Sequence, residues 1–136
     1  MSQIEQRLIE LGSPLPEVAK PVAAYVPSVV SGNLVFTSGQ LPFKNGALIA
    51  AGKVGEADGL LDPALAKTLA RQCALNALAA IKLAIGDLDR VTRIVKVVGF
   101  VASVPEFTGQ PGVMNGASEF LVEVFGDKGV HARSAV

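Results

Sequence analysis

The chain has 136 residues, half of them apolar, with twelve basic and twelve acidic side chains, one cysteine and one histidine. That size suits one core, and a cancelled charge with no basic cluster argues against nucleic acid or an anionic membrane as partner. A lone cysteine forms no internal disulfide, and one Cys with one His cannot complete a zinc site, so no metal is expected.

The opening "MSQIEQRLIELG" is amphipathic and charged where a signal peptide needs an apolar stretch, and no run reaches the length of a membrane span. A soluble, cytoplasmic protein with a single domain over 1–136 is expected. Ile4, Leu8 and Leu11 share one helix face and Gly12 suits a C-terminal cap, which predicts a short helix over 3–11. The three prolines of "SPLPEVAKP" then predict an extended connector. Residues 22–30 and 34–38 flank "SGN", and 47–51 follow a turn at "KNG", the pattern of three strands in a meander.

Asp62 and Pro63 suit the N-cap and first position of a long helix ending near Ile85 before Gly86, with Asp62 expected to accept orphan amides. Its predicted inner stripe is Ala66, Leu69, Ala70, Cys73, Ala77, Ala80, Ile81 and Ala84. "RIVKVVGFVAS" (93–103) reads as a central strand apolar on both faces. A second helix over 111–125 puts Val113, Ala117, Phe120, Leu121 and Val124 inward, with Gly126 as cap, before a strand over 131–136. Two long helices on one face of a mixed sheet give an α+β sandwich. The sheet's other face is also apolar, so packing against copies of the chain is expected.

Few residues offer chemistry. Ser38 in "TSGQ" has no elbow motif, and a strand-end turn with exposed amides, able to hold an anion, is favoured over a triad with His131. Cys73 falls in the helix stripe and is expected to be inert, while Gln72 and Asn76 are solvent-facing or buried and satisfied. Tyr25 reads as a core ring with its hydroxyl at the rim, or as a cleft hydroxyl; Asn115 reads as a local cap near the second helix's start.

The final "HARSAV" places His131, Arg133 and Ala135 on one strand face. A permanently charged guanidinium among apolar neighbours needs an anion, either a protein carboxylate or a ligand's. His131 is a possible general acid or base, or a polar residue at a strand entrance.

Together, "AAYVPSVVSGNLVFTSGQLPF", the asparagine opening the second helix, and "HARSAV" resemble the Rid family, also called YjgF-type or L-PSP proteins, over roughly residues 20–136. The opening helix and "NALAAIKLAIGDLDRVTRIVKVVGFV" look most like a longer subgroup. The resemblance implies a chorismate-mutase-like fold, a homotrimer whose sheets face inward, and clefts between subunits. It implies hydrolysis of enamines and imines such as 2-aminoacrylate and 2-iminopropionate to a 2-keto acid and ammonia, without metal or organic cofactor.

By position, Arg133 matches the arginine that binds the substrate carboxylate, Tyr25, Ser38 and Asn115 match cleft positions, and Gly39 lets backbone approach the ligand. His131 stands where active members have proline, so it is expected to tune the chemistry. Ala135 stands where many have cysteine, and the family's last strand, which carries an acidic residue, has no counterpart up to residue 136, as in a shortened chain. A non-catalytic trimer binding a small carboxylate metabolite is the alternative. The endoribonuclease label attached to the family fits poorly with near-zero charge and with the absence of aromatics beside basic residues.

Overall fold

The structure is a computed structural model and describes residues 2–18, 20, 21 and 23–136. Helix α1 (Gln3–Glu10) begins at Ser2, whose hydroxyl accepts from the Glu5 amide, and Gly12 follows its end at φ 71°. Its remaining orphan amides go to a distant side chain: the Gln3 and Ile4 N–H groups both donate to the Asp89 carboxylate at 2.9 Å. Asp89 belongs to a 3₁₀ turn, Leu88–Arg90, that follows the second helix. The first residues are thereby tied to the middle of the chain, and Leu8 is fully buried.

Two hairpins follow in place of the expected meander. Strand β1 (Ser28–Ser31) pairs antiparallel with β2 (Leu34–Thr37), and β3 (Phe43–Lys44) pairs with β4 (Ala47–Leu48). Asn45 and Gly46 have φ of 53° and 82°, the two left-handed residues that a tight Asn-Gly hairpin demands.

The strand expected over 22–30 begins only at Ser28. The Tyr25 amide bonds back to the Ala23 carbonyl in a tight turn, and Pro27 accepts from the Ser38 amide without a donor to return. Val22 lies outside the described residues. Pro42 ends the second ladder in the same way: it accepts from the Ile49 amide, and the strand expected over 47–51 shrinks to two residues.

Helix α2 (Pro63–Ile85) runs between the expected ends, closed by Gly86 at φ 83°. Its start differs, because the Asp62 carboxylate makes no capping bond. Its buried surface is also wider than one stripe. Ala74, Leu75, Leu78 and Ala79 are buried, while Cys73 and Ala77 are only half-buried and Ala84 is exposed. The helix is covered on two sides, by α3 (Gln110–Phe125) and by β1, β2 and β3. Close contact with α3 is possible because Gly116 lies against the Lys67 carbonyl, where a Cβ would collide.

Strand β5 (Lys96–Gly99) pairs in parallel with β6 (Ala132–Ala135), a pairing that needs a crossover, and α3 supplies it. All five residues expected to face inward from α3 are buried, and Gly126 closes it at φ 63°. The strand expected over 93–103 is four residues long in regular pairing; Val101 bonds to Val136, and Ala102 and Val104 to Val54.

One face of these strand pairs is covered by helices. Ser28 donates to the Ala80 carbonyl of α2, and Val97 and Ala135 pack against the core. The opposite face carries Val29, Leu34, Phe36 and Val98, all exposed, and Phe100, which is 82% exposed. Among the described residues no helix is long and apolar enough to cross a membrane.

Candidate functional site

Strand period and helix period meet at the chain's last element. Register places Arg133 opposite Val97, on the face of β6 that looks at α3. On α3, Asn115 and Ser118 lie three residues apart and so share a helix face. Arg133 Nη1 donates to Asn115 Oδ1 at 2.8 Å and to Ser118 Oγ at 3.2 Å. Asn115 is therefore no helix cap: α3 begins at Gln110, and Asn115 sits in its second turn with its side chain holding the guanidinium.

The intramolecular ion pair considered for Arg133 is not found. Among the described residues the salt bridges join Arg7 to Glu10, Lys67 to Glu119, Arg71 to Glu123 and Lys82 to Glu5. The carboxylates of α3 nearest to Ser118 are thus turned toward α2 and spent on its cations. Arg133 is half-buried with two neutral acceptors, both on one nitrogen of a group that has five N–H donors.

His131 completes this group. Its Nδ1 lies 2.6 Å from the Gly129 carbonyl oxygen, and its Nε2 lies 2.9 Å from Ser118 Oγ. A carbonyl only accepts, so Nδ1 carries the proton. In the neutral ring Nε2 is then an acceptor, and the Ser118 hydroxyl donates to it. Ser118 also lines a shallow depression of about 400 Å³ with Glu119, Val122 and Glu123. It was missed in the sequence, although its three-residue spacing from Asn115 and the parity of His131 with Arg133 together point to it.

The other candidates stand elsewhere. Tyr25 is 49% exposed and is no core ring. Ser38 donates its hydroxyl to the Val26 carbonyl at 2.6 Å and its amide to Pro27 at 2.9 Å, so that amide is not free for an anion. Gly39 is exposed, and its amide has no acceptor among the described residues. These three lie on the segments flanking the β1–β2 hairpin that packs on α2, and no hydrogen bond among the described residues joins them to the Arg133 group on α3.

The loop after Ser38 is held from below. Asn76, buried in α2, donates to the Leu41 and Phe43 carbonyls at 3.0 Å each and accepts from Gln72 at 2.9 Å, the satisfied arrangement of the two readings considered. Burial pushes the Cys73 thiol up to about 11, against a smaller opposing effect of its backbone hydrogen bond. Such a thiol is a filler rather than a nucleophile. Among the described residues no three His, Cys, Asp or Glu side chains gather as a metal site.

A family model described as "YjgF/chorismate_mutase-like, putative endoribonuclease" matches residues 5–136. Protein TCP17 of Trypanosoma cruzi is 42% identical over 135 residues, covering 98% of this chain and 82% of that protein. Among solved structures, the Agrobacterium tumefaciens protein Atu1372, described as of unknown function, matches with a TM-score of 0.88 at 47% identity, over 98% of this chain and 80% of its own. A "putative endoribonuclease" from Shewanella oneidensis MR-1 matches with a TM-score of 0.90 at 35% identity, over 97% and 85% of the two chains.

Proposed function

Because the chain belongs to the YjgF/chorismate-mutase-like family, we propose that it hydrolyses reactive enamines and imines of the 2-aminoacrylate and 2-iminopropionate type to 2-keto acids and ammonia. The observation that carries this reading is Arg133, a half-buried guanidinium with neutral partners and no carboxylate of its own among the described residues. Its fork matches a carboxylate, and a desolvated pair of this kind is strong enough to orient a small acid. An imine carbon next to that carboxylate is already electrophilic, so a held substrate needs mainly a positioned water and a route for protons. No cofactor enters the reading.

The trimer belongs to the same proposal. Tyr25, Ser38 and Gly39 on the α2 half would complete the cleft from a neighbouring copy, opposite Arg133 and Asn115 of the first. The test is whether purified protein accelerates 2-keto acid formation from imines generated in situ from several amino acids. Arg133→Ala should abolish pyruvate binding while the fold persists, and Arg133→Lys should weaken it at least 10-fold despite the kept charge.

Saturable pyruvate binding without turnover would instead make the protein a metabolite-binding regulator. The name putative endoribonuclease, carried by the family and by the Shewanella protein, supports a second reading, cleavage of RNA. It predicts degradation of single-stranded RNA that Arg133→Ala removes, although a net charge of zero supplies little to hold phosphates.

A further inference from the structure

We propose that Ser118 and His131 form a proton relay for the ligand held on Arg133, with the Ser118 hydroxyl touching the reacting atoms and His131 as the group behind it that stores the proton. The inference rests on the imine-hydrolysis reading above and deepens it. Its parts are an oxygen, a base and an orienting acceptor in line: Ser118 Oγ to His131 Nε2 at 2.9 Å, and His131 Nδ1 to the Gly129 carbonyl at 2.6 Å. That chain is the arrangement by which a hydroxyl is made ready to give up a proton, with a backbone carbonyl as the third member. Arg133 Nη1, 3.2 Å from the same oxygen, favours developing negative charge on it and ties the relay to the carboxylate site.

The protons balance without another reactant. Water adds its oxygen to the imine carbon and gives one proton to Ser118 Oγ as the serine's own proton passes to His131 Nε2. The C=N electron pair moves to nitrogen, which takes the proton back through the same path and leaves a carbinolamine. Loss of its hydroxyl proton into the relay, return of that proton to nitrogen and cleavage of the C–N bond release ammonia and the 2-keto acid. Ser118 and His131 end as they began.

A purely structural pair would be expected to tolerate substitution or to lose the fold; a relay loses rate while keeping affinity. In the full chain, Ser118→Ala and His131→Ala should lower kcat about 100-fold or more, the usual share of acid–base assistance, with pyruvate affinity by calorimetry within about 2-fold of the parent. Added imidazole should restore His131→Ala but not Ser118→Ala, and Ser118→Thr, which keeps the hydroxyl, should retain most of the rate. If the parent turns imines over and both alanine variants match it, the relay is overturned and the hydrolase reading stands. Loss of pyruvate affinity in either variant would make the pair a binding element and also overturn the relay. A parent that accelerates no imine sinks the hydrolase reading itself, and the relay with it.

Discussion

Cys73 shows how a single environment decides reactivity. With its folded pKa pushed up to about 11 by burial, the native thiol stays protonated at pH values where an unfolded thiol ionises. It should react with a thiol reagent at pH 8 far more slowly than the same thiol in the unfolded chain. The sign for stability follows: the contribution is complete below the ordinary thiol range and is lost as pH rises through it toward 11. The difference in unfolding free energy between the parent and Cys73→Ala should shrink by up to about 2 kcal/mol across that window in denaturant titrations; no change would mean the thiol is solvated. Arg133 was legible for a related reason, since a permanent charge on an apolar strand demands an anion. Ser118 was not, because an isolated serine in a helix carries no such demand. Its spacing from Asn115 gains meaning once β6 is packed on α3, which brings it to His131 and Arg133. Asn115 near a helix start reads as a local cap from sequence alone, because only the placement of Arg133 shows that its side chain has a partner outside the helix.

At the scale of elements, both long helices were readable because caps, prolines and the 3.6-residue period agree there, whereas the strands were overextended. Apolar runs at 22–30 and 93–103 do not show which amides a proline leaves without a partner, nor where pairing passes from β6 to Val54. Helix–helix contact was also hidden, and it makes a sharp prediction. Gly116→Ala should cost about 1–3 kcal/mol in a denaturant titration, since its Cβ meets the Lys67 carbonyl. Gly112→Ala, on the same helix with open space around it, should instead be neutral or stabilise by up to about 1 kcal/mol; equal costs would refute the close packing of α2 and α3. The α1 tether responds to acid. The Ile4 and then the Gln3 amide hold the Asp89 carboxyl below its ordinary range, so its contribution is present above that range and is lost as pH falls through the lowered value. Hydrogen exchange at those two amides, extrapolated to a common intrinsic rate, should quicken on acidification and should be fast at every pH in Asp89→Ala. Unchanged protection would show that α1 is held by its other contacts, the buried Leu8 and the Lys82–Glu5 pair among them, and not by Asp89.

The whole molecule leaves one contradiction that a single copy does not resolve. Helices cover one face of the β1–β2 and β5–β6 pairs, while Val29, Leu34 and Phe36 stand exposed on the other side of the first pair and Val98 and Phe100 on the other side of β5, the last at 82%. Soluble chains rarely leave such a surface in water, and closed rings of identical copies bury it without leaving an edge. The candidate site is divided within one copy, with Arg133, Asn115, Ser118 and His131 at α3 and Tyr25, Ser38 and Gly39 on the segments flanking the hairpin over α2. The proposed threefold assembly would answer both needs at once, by covering the apolar faces and by bringing one copy's hairpin segment to the next copy's arginine. Light scattering should therefore report about three times the chain mass, and Phe100→Asp should dissociate the assembly because a carboxylate cannot be buried there without a partner. Pyruvate binding should disappear with the trimer even though Arg133 is untouched. A Phe100→Asp monomer that binds pyruvate as tightly as the parent would place the whole site within one chain, and a parent that is monomeric at micromolar concentration would remove the trimer and its shared cleft together.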